Sequence, residues 1–233
     1  MASPAPDSEH LRLKGTGRVA DDLYLIAHHE VSGRPQLSPR SAGIGIAGGV
    51  LAELLAAPVP PVTIDGGRVF ALYRKNGDPV GRYARPDDQV AGRVLDLIVA
   101  ESLPRPVGDW LLFLGKTSAA EVAGRLERAG YLSRPASRIP WRTRRPVPGE
   151  ADWAQCALIR ARAPLNAARP LTPQAALLTG LATACGLGFR FPDLPGAPVR
   201  SAGEVMRVLP PPLRELVARV QVAADAAVLS TRM

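Results

Sequence analysis

The sequence predicts a mainly α fold, a single compact helical globule with one or two short β-hairpins. Three observations lead there. Apolar residues recur at helical spacing in six or seven segments, whereas only one or two β-rich runs flank a recognisable turn. No unit of fixed length repeats, which excludes a solenoid. With 233 residues, 46% of them hydrophobic, the chain is long enough to bury a substantial core. We expect one domain over residues 18–230, preceded by a flexible, polar and Pro-rich tail over residues 1–17.

The elements follow in order. "VADDLYLIAHHEVSG" places Val19, Leu23, Ile26 and Ala27 on one helical face, with Gly33 as a stop. "SAGIGIAGGVLAELLAAP" contains G-x-G-x-x-G as Gly43, Gly45 and Gly48, the spacing of a dinucleotide-binding turn, and Asp65 stands where such folds place a ribose-binding acid. That fingerprint needs a buried strand before it. The preceding "SGRPQLSPRS" carries Pro35 and Pro39, which cannot donate to a central ladder. The segment therefore reads as a helix from Ala42 to Ala57, its small residues permitting close approach, Leu51, Leu54 and Leu55 facing a core, and Pro58 ending it.

"VTIDGGRVFALYRKNGDPVG" reads as a hairpin turning at Asp65-Gly66-Gly67. "DDQVAGRVLDLIVAES" is a helix capped by Asp87 or Asp88, with Val90, Val94, Leu97 and Ile98 inward. After "WLLFLG", the stretch "TSAAEVAGRLERAGYL" is a helix capped by Thr117 or Ser118, with Val122, Leu126 and Ala129 inward and Gly130 at its end. "SRPASRIPWRTRRPVPG" reads as an exposed loop or irregular hairpin. Two helices, "ADWAQCALIRARAPL" and "TPQAALLTGLATACGL", come next, then a Pro-rich connection over residues 191–198. "PPPLRELVARVQVAADAAVL" closes the chain as an amphipathic helix entered through prolines.

Several chemistries are excluded by spacing. "LLFLGKTS" resembles the end of a phosphate-binding loop, but Trp110 occupies the position of the glycine the full motif requires. Lys116 remains a cation beside a helix start, where an anion can be met singly. His28, His29 and Glu30 are adjacent and would point in different directions on a helix, so they make no metal site. Cys156 and Cys185 form no paired motif and read as buried, reduced thiols of a cytoplasmic protein. We find no catalytic constellation, and expect no metal and no cofactor. No run of about 20 uncharged apolar residues is present for a membrane span, and the first ten residues lack the pattern of a secretion leader.

The net charge is +8, and all but three of the 29 basic residues are arginines, which favours acidic partners. Arg134, Arg138, Arg142, Arg144 and Arg145 cluster around Trp141. Arginine forks bind phosphate bidentately and an indole favours the water–acyl boundary, so a basic loop with one aromatic suits an anionic membrane. The same residues also suit a solvated loop with Trp141 packed beneath it. Nucleic acid is not expected, because only Trp141 is available for base stacking and no recognition helix is evident.

Read in order, these segments resemble the Golgi phosphoprotein family. The resemblance is carried by "DDLYLIAHHEVSG", "GIGIAGGVLAELLAAP", "NGDPVG", "VLDLIVAESLPRPVGDWLLFL", "VAGRLERAGYL" and "IPWRTRRPVP", in matching order from Val19 to Gly188. It implies an all-α peripheral membrane protein whose eukaryotic relatives bind phosphatidylinositol 4-phosphate. Their pocket uses a tryptophan before the second helix, an arginine within it, and two arginines one turn apart at a later helix start. Those positions fall here on Ser38, Ala47, Lys116 and Ala119, which leaves a single cation of the set. The resulting expectation is a bacterial, cytoplasmic member that associates peripherally with anionic, phosphoinositide-like lipid and carries out no catalysis. Headgroup contact is assigned to Lys116, Arg40, Arg138, Arg142, Arg144 and Arg145, and membrane contact to Trp141. The alternative is a soluble adaptor that kept the fold and lost the pocket, with a protein partner; self-association is left open.

Overall fold

A computed structural model describes residues 16–72, 85–133, 146–149, 152–188 and 199–230. Nine α-helices and five short strands occur among them: α1 (Val19–Ala27), α2 (Pro39–Leu55), β1 (Val62–Asp65), β2 (Arg68–Ala71), α3 (Gln89–Ala100), β3 (Arg105–Pro106), α4 (Val107–Leu114), α5 (Ser118–Arg128), β4 (Leu132–Ser133), β5 (Val147–Pro148), α6 (Asp152–Arg162), α7 (Pro173–Ala184), α8 (Ala202–Arg207) and α9 (Pro211–Leu229). The mainly helical expectation holds, with more helices than the sequence suggested. The strands form a three-stranded antiparallel sheet, β1-β2-β3, and a separate β4-β5 pair.

Helix α2 is the axis of the molecule, and α1, α9, α5, α3, α4 and α7 all pack against it. Only Pro39, Arg40, Glu53 and Leu55 of its residues escape burial, so no polar face is left. It begins three residues earlier than the apolar pattern indicated. Ser38 caps it by accepting a hydrogen bond from the Ser41 backbone N–H at 3.0 Å, and Pro39 takes the first helical position, where its missing N–H costs nothing. The helix ends at Leu55, short of Pro58.

The glycines of α2 are packing devices. A Cβ on Gly43 would lie 2.1 Å from the Gly115 carbonyl oxygen, and one on Gly49 would lie 2.8 Å from the Ala20 Cα. A Cβ on Gly48 would meet the Val220 side chain at 2.6 Å. The segment before α2 is a loop bridged at His28 and Pro35, not a strand, so no nucleotide turn is formed. Gly66 and Gly67 adopt φ of +52° and +74°, as a two-residue hairpin demands, and set the register Val62–Ala71 to Asp65–Arg68.

Elsewhere the apolar periodicity misplaced individual residues. Helix α1 is buried on every side, Asp21 and Asp22 included, because α2, α5, α6 and α7 surround it. Leu97 is half-buried while its neighbour Leu95 lies inside, and Ala129, beyond the end of α5, is exposed. Buried side chains from Val19 to Ala227 make one hydrophobic cluster.

Both cysteines are free, but only Cys185 is buried; Cys156 is half-buried on α6. Burial pushes the Cys185 thiol up to about 12. Because the thiolate is the nucleophile, a thiol reagent at about pH 8 should titrate one cysteine in the native protein, Cys156. Cys185 should react only after denaturant is added, and rapid modification of both would contradict its burial.

Candidate functional site

Two residues of the expected site, Lys116 and Arg40, are among those described, and both stand near the start of α2. Gly43 lies in the first turns of α2, and the missing side chains at Gly43 and Gly115 let the end of α4 touch the α2 backbone. Lys116 follows Gly115 immediately and is exposed, in the turn that leads into α5. That turn is fixed by Ser118, whose hydroxyl donates to the Leu114 carbonyl at 2.8 Å. Thr117 holds the cap position of α5 without a side-chain hydrogen bond. Arg40 stands three residues before Gly43, one helical turn, on an exposed part of α2. Its Nη1 donates to Ser230 Oγ at 3.1 Å, which ties the start of α2 to the end of α9.

Two helix N-termini, of α2 and α5, and two cationic side chains therefore share one end of the molecule. Partial positive charge at those termini favours an anion. The C-terminal ends of α4 and α9 reach the same place and offset part of that field. Of the other positions implied by the resemblance, Ser38 is occupied as a cap, Ala47 is fully buried, and Ala119 is half-buried. Arg138, Trp141, Arg142, Arg144 and Arg145 lie outside the described residues, as does Arg134.

Among the described residues, Lys116 and Arg40 line neither of two clefts, of about 740 and 460 Å³, that lie at the opposite end of α2, around Thr16 and Arg18. Beside them is a charged cluster that apolar spacing did not reveal. Arg125 of α5 donates from Nε to Asp21 Oδ1 at 2.9 Å and from Nη1 to Asp88 Oδ2 at 2.7 Å, and its Nη1 stands 3.5 Å from Glu53 Oε2. Asp88 also caps α3 by accepting from the Ala91 N–H at 2.8 Å, and Glu53 accepts from the Ala20 N–H at 3.0 Å. One guanidinium thus joins α1, α2, the start of α3 and α5. Asp22 pairs separately with Arg160 of α6, at 2.9 Å from Nε to Oδ2.

Desolvation pushes the carboxyls of Asp21, Asp22 and Glu53 above their ordinary values, against the pull of their arginine partners. These groups are committed to one another, and we read them as structural. Among the described residues no group of histidine, cysteine or carboxylate side chains is arranged to hold a metal ion. No described helix is long and apolar enough to cross a membrane.

Fold and surface define a class: an all-α globule built around one glycine-rich buried helix, with cations gathered at that helix's start. The chain matches the family model of Golgi phosphoprotein 3 (GPP34) over residues 19–223 and belongs to that family. Among curated proteins, none matches the chain.

Proposed function

We propose that this protein associates reversibly with anionic membranes, recognising a phosphorylated headgroup, phosphoinositide-like in chemistry, without catalysing a reaction. It acts as one domain over residues 18–230, with residues 1–17 as a tail. Lys116 and Arg40 supply contacts at the start of α2, and Arg138, Arg142, Arg144 and Arg145 supplement them, with Trp141 at the acyl boundary. The observation that carries this reading is the Gly43–Gly115 contact, which sets Lys116 against the helix start bearing Arg40. Family membership supports it, since Golgi phosphoprotein 3 proteins are the chain's kin.

Each basic residue near an anionic surface contributes on the order of 1 kcal/mol. With a single cation kept from the eukaryotic pocket, binding follows lipid charge density more than headgroup identity. In vesicle flotation at low salt, the protein should float with vesicles containing phosphatidylserine or phosphatidylinositol 4-phosphate and stay behind with phosphatidylcholine. Equal recovery with neutral and anionic vesicles would remove the proposal.

A further inference from the structure

We infer that the shared end of α4 and α9 is a membrane-insertion edge, at which Leu112, Phe113, Val228 and Leu229 enter an anionic bilayer while Lys116 and Arg40 remain at headgroup level. This rests on the lipid reading above and adds to it the docking orientation and an apolar component.

The geometry comes from α2. Leu111 of α4 and Val220 of α9 both lie against Gly48, whereas Gly115 lies against Gly43 and Ser230 against Arg40. Helices α4 and α9 therefore run side by side, antiparallel to α2, and both end where α2 begins; they also pack on each other. Four large apolar side chains sit exposed at those two ends: Leu112 at 41%, Phe113 at 48%, Val228 at 43% and Leu229 at 63%. On α4 the exposed residues Asp109, Leu112 and Phe113 lie three and four apart and form one ridge, and the exposed Lys116 follows in the turn just beyond the helix end.

Charge is graded along both ridges. The acids Asp109 and Asp225 stand about one turn, roughly 6 Å, behind Phe113 and Leu229 respectively, so neither occupies the tip. Asp225 is engaged there by Gln221, whose Nε2 donates to Oδ1 at 3.0 Å. The order from the tip inward is thus cation and apolar group first, acid later, as the interface of an anionic bilayer requires. A second copy of this chain fits less well. A two-fold contact through the edge would set Lys116 and Arg40 close to their own symmetry mates.

Two exposed-site variants and one depth probe test the edge. Leu112→Ser/Phe113→Ser, which also gives up the edge contact of Phe113 with Trp110, and Val228→Ser/Leu229→Ser should remain folded and each lower partition into anionic vesicles by about tenfold. Their salt dependence should be unchanged, because no charge is altered. An environment-sensitive fluorophore attached to Phe113→Cys in a Cys156→Ser background should be quenched by bromine-bearing acyl chains. If the native protein floats with anionic vesicles but both variants bind equally well and the probe is not quenched, the insertion edge is overturned and the headgroup reading stands. Failure of the native protein to float with anionic vesicles at low salt would overturn both.

Discussion

Replacing Arg125 with methionine should lower stability by about 3–5 kcal/mol, the largest effect of any single change, because it takes the guanidinium away from the buried Asp21 and Asp88 and from the half-buried Glu53. At roughly 2–4 °C per kcal/mol for a chain of this size, the melting temperature should fall by some 6–20 °C. The pH dependence separates this from simple loss of packing. Burial holds the carboxyls of Asp21, Asp22 and Glu53 above 3.8, 3.8 and 4.5. A raised carboxyl binds its proton more tightly in the folded protein, so the stability it contributes is complete below the unfolded value and is lost as pH rises through the folded one. Without Arg125, the folded values for Asp21 and Glu53 rise further. The deficit of the variant should therefore be greatest near neutral pH and narrow towards about pH 5. Calorimetric melts at several pH values check this, and a deficit independent of pH would show that the guanidinium acts only through its contacts.

Gly43→Ala should destabilise the protein by about 1–3 kcal/mol and weaken vesicle binding together. In an unconstrained helix the same change would add stability, up to about 1 kcal/mol. Here the new Cβ would meet a backbone oxygen at 2.1 Å, and a backbone cannot rotate away as a side chain can. The end of α4 must move off α2, taking Gly115 and Lys116 with it. Gly124→Ala on α5 is the control, since its Cβ would meet only the flexible Arg128 side chain at 3.5 Å. That change should be neutral or stabilising and leave binding intact. Equal melting temperatures for Gly43→Ala and the native protein would contradict the close crossing of α2 and α4.

Much of this architecture was legible in the residues. The Asp-Gly-Gly turn, the Asp88 cap and the proline entrance of α9 each follow from local chemistry, and each stands in the fold. Periodicity failed where burial is not one-sided. Helix α1 is enclosed on every side, so its apolar stripe said nothing about Asp21 and Asp22. The useful signal there was two adjacent acids inside an apolar run, which demands buried partners such as Arg125 and Arg160. Helix α8 carries a capping box in Ser201 and Glu204, but only six residues follow the cap, too few for an apolar period to mark a helix.

The site was legible in part. Lys116 beside a helix start could be read from "GKTS", and the close approach from the small residues of α2. That Gly43 meets Gly115, and that Arg40 meets Ser230 across 190 residues, are long-range facts no local pattern encodes. The exposure of Leu112 and Phe113 was equally hidden, since "WLLFLG" is uniformly apolar and offers no face to choose.

Charge reversal at the start of α2 tests the central claim most directly. Lys116→Glu combined with Arg40→Glu alters two exposed side chains and should leave the melting temperature nearly unchanged. Removing two attractions and adding two repulsions should lower recovery with anionic vesicles at least about tenfold at low salt. Undiminished flotation of that double variant would show that lipid is held elsewhere, and would contradict a headgroup surface built where α2 begins.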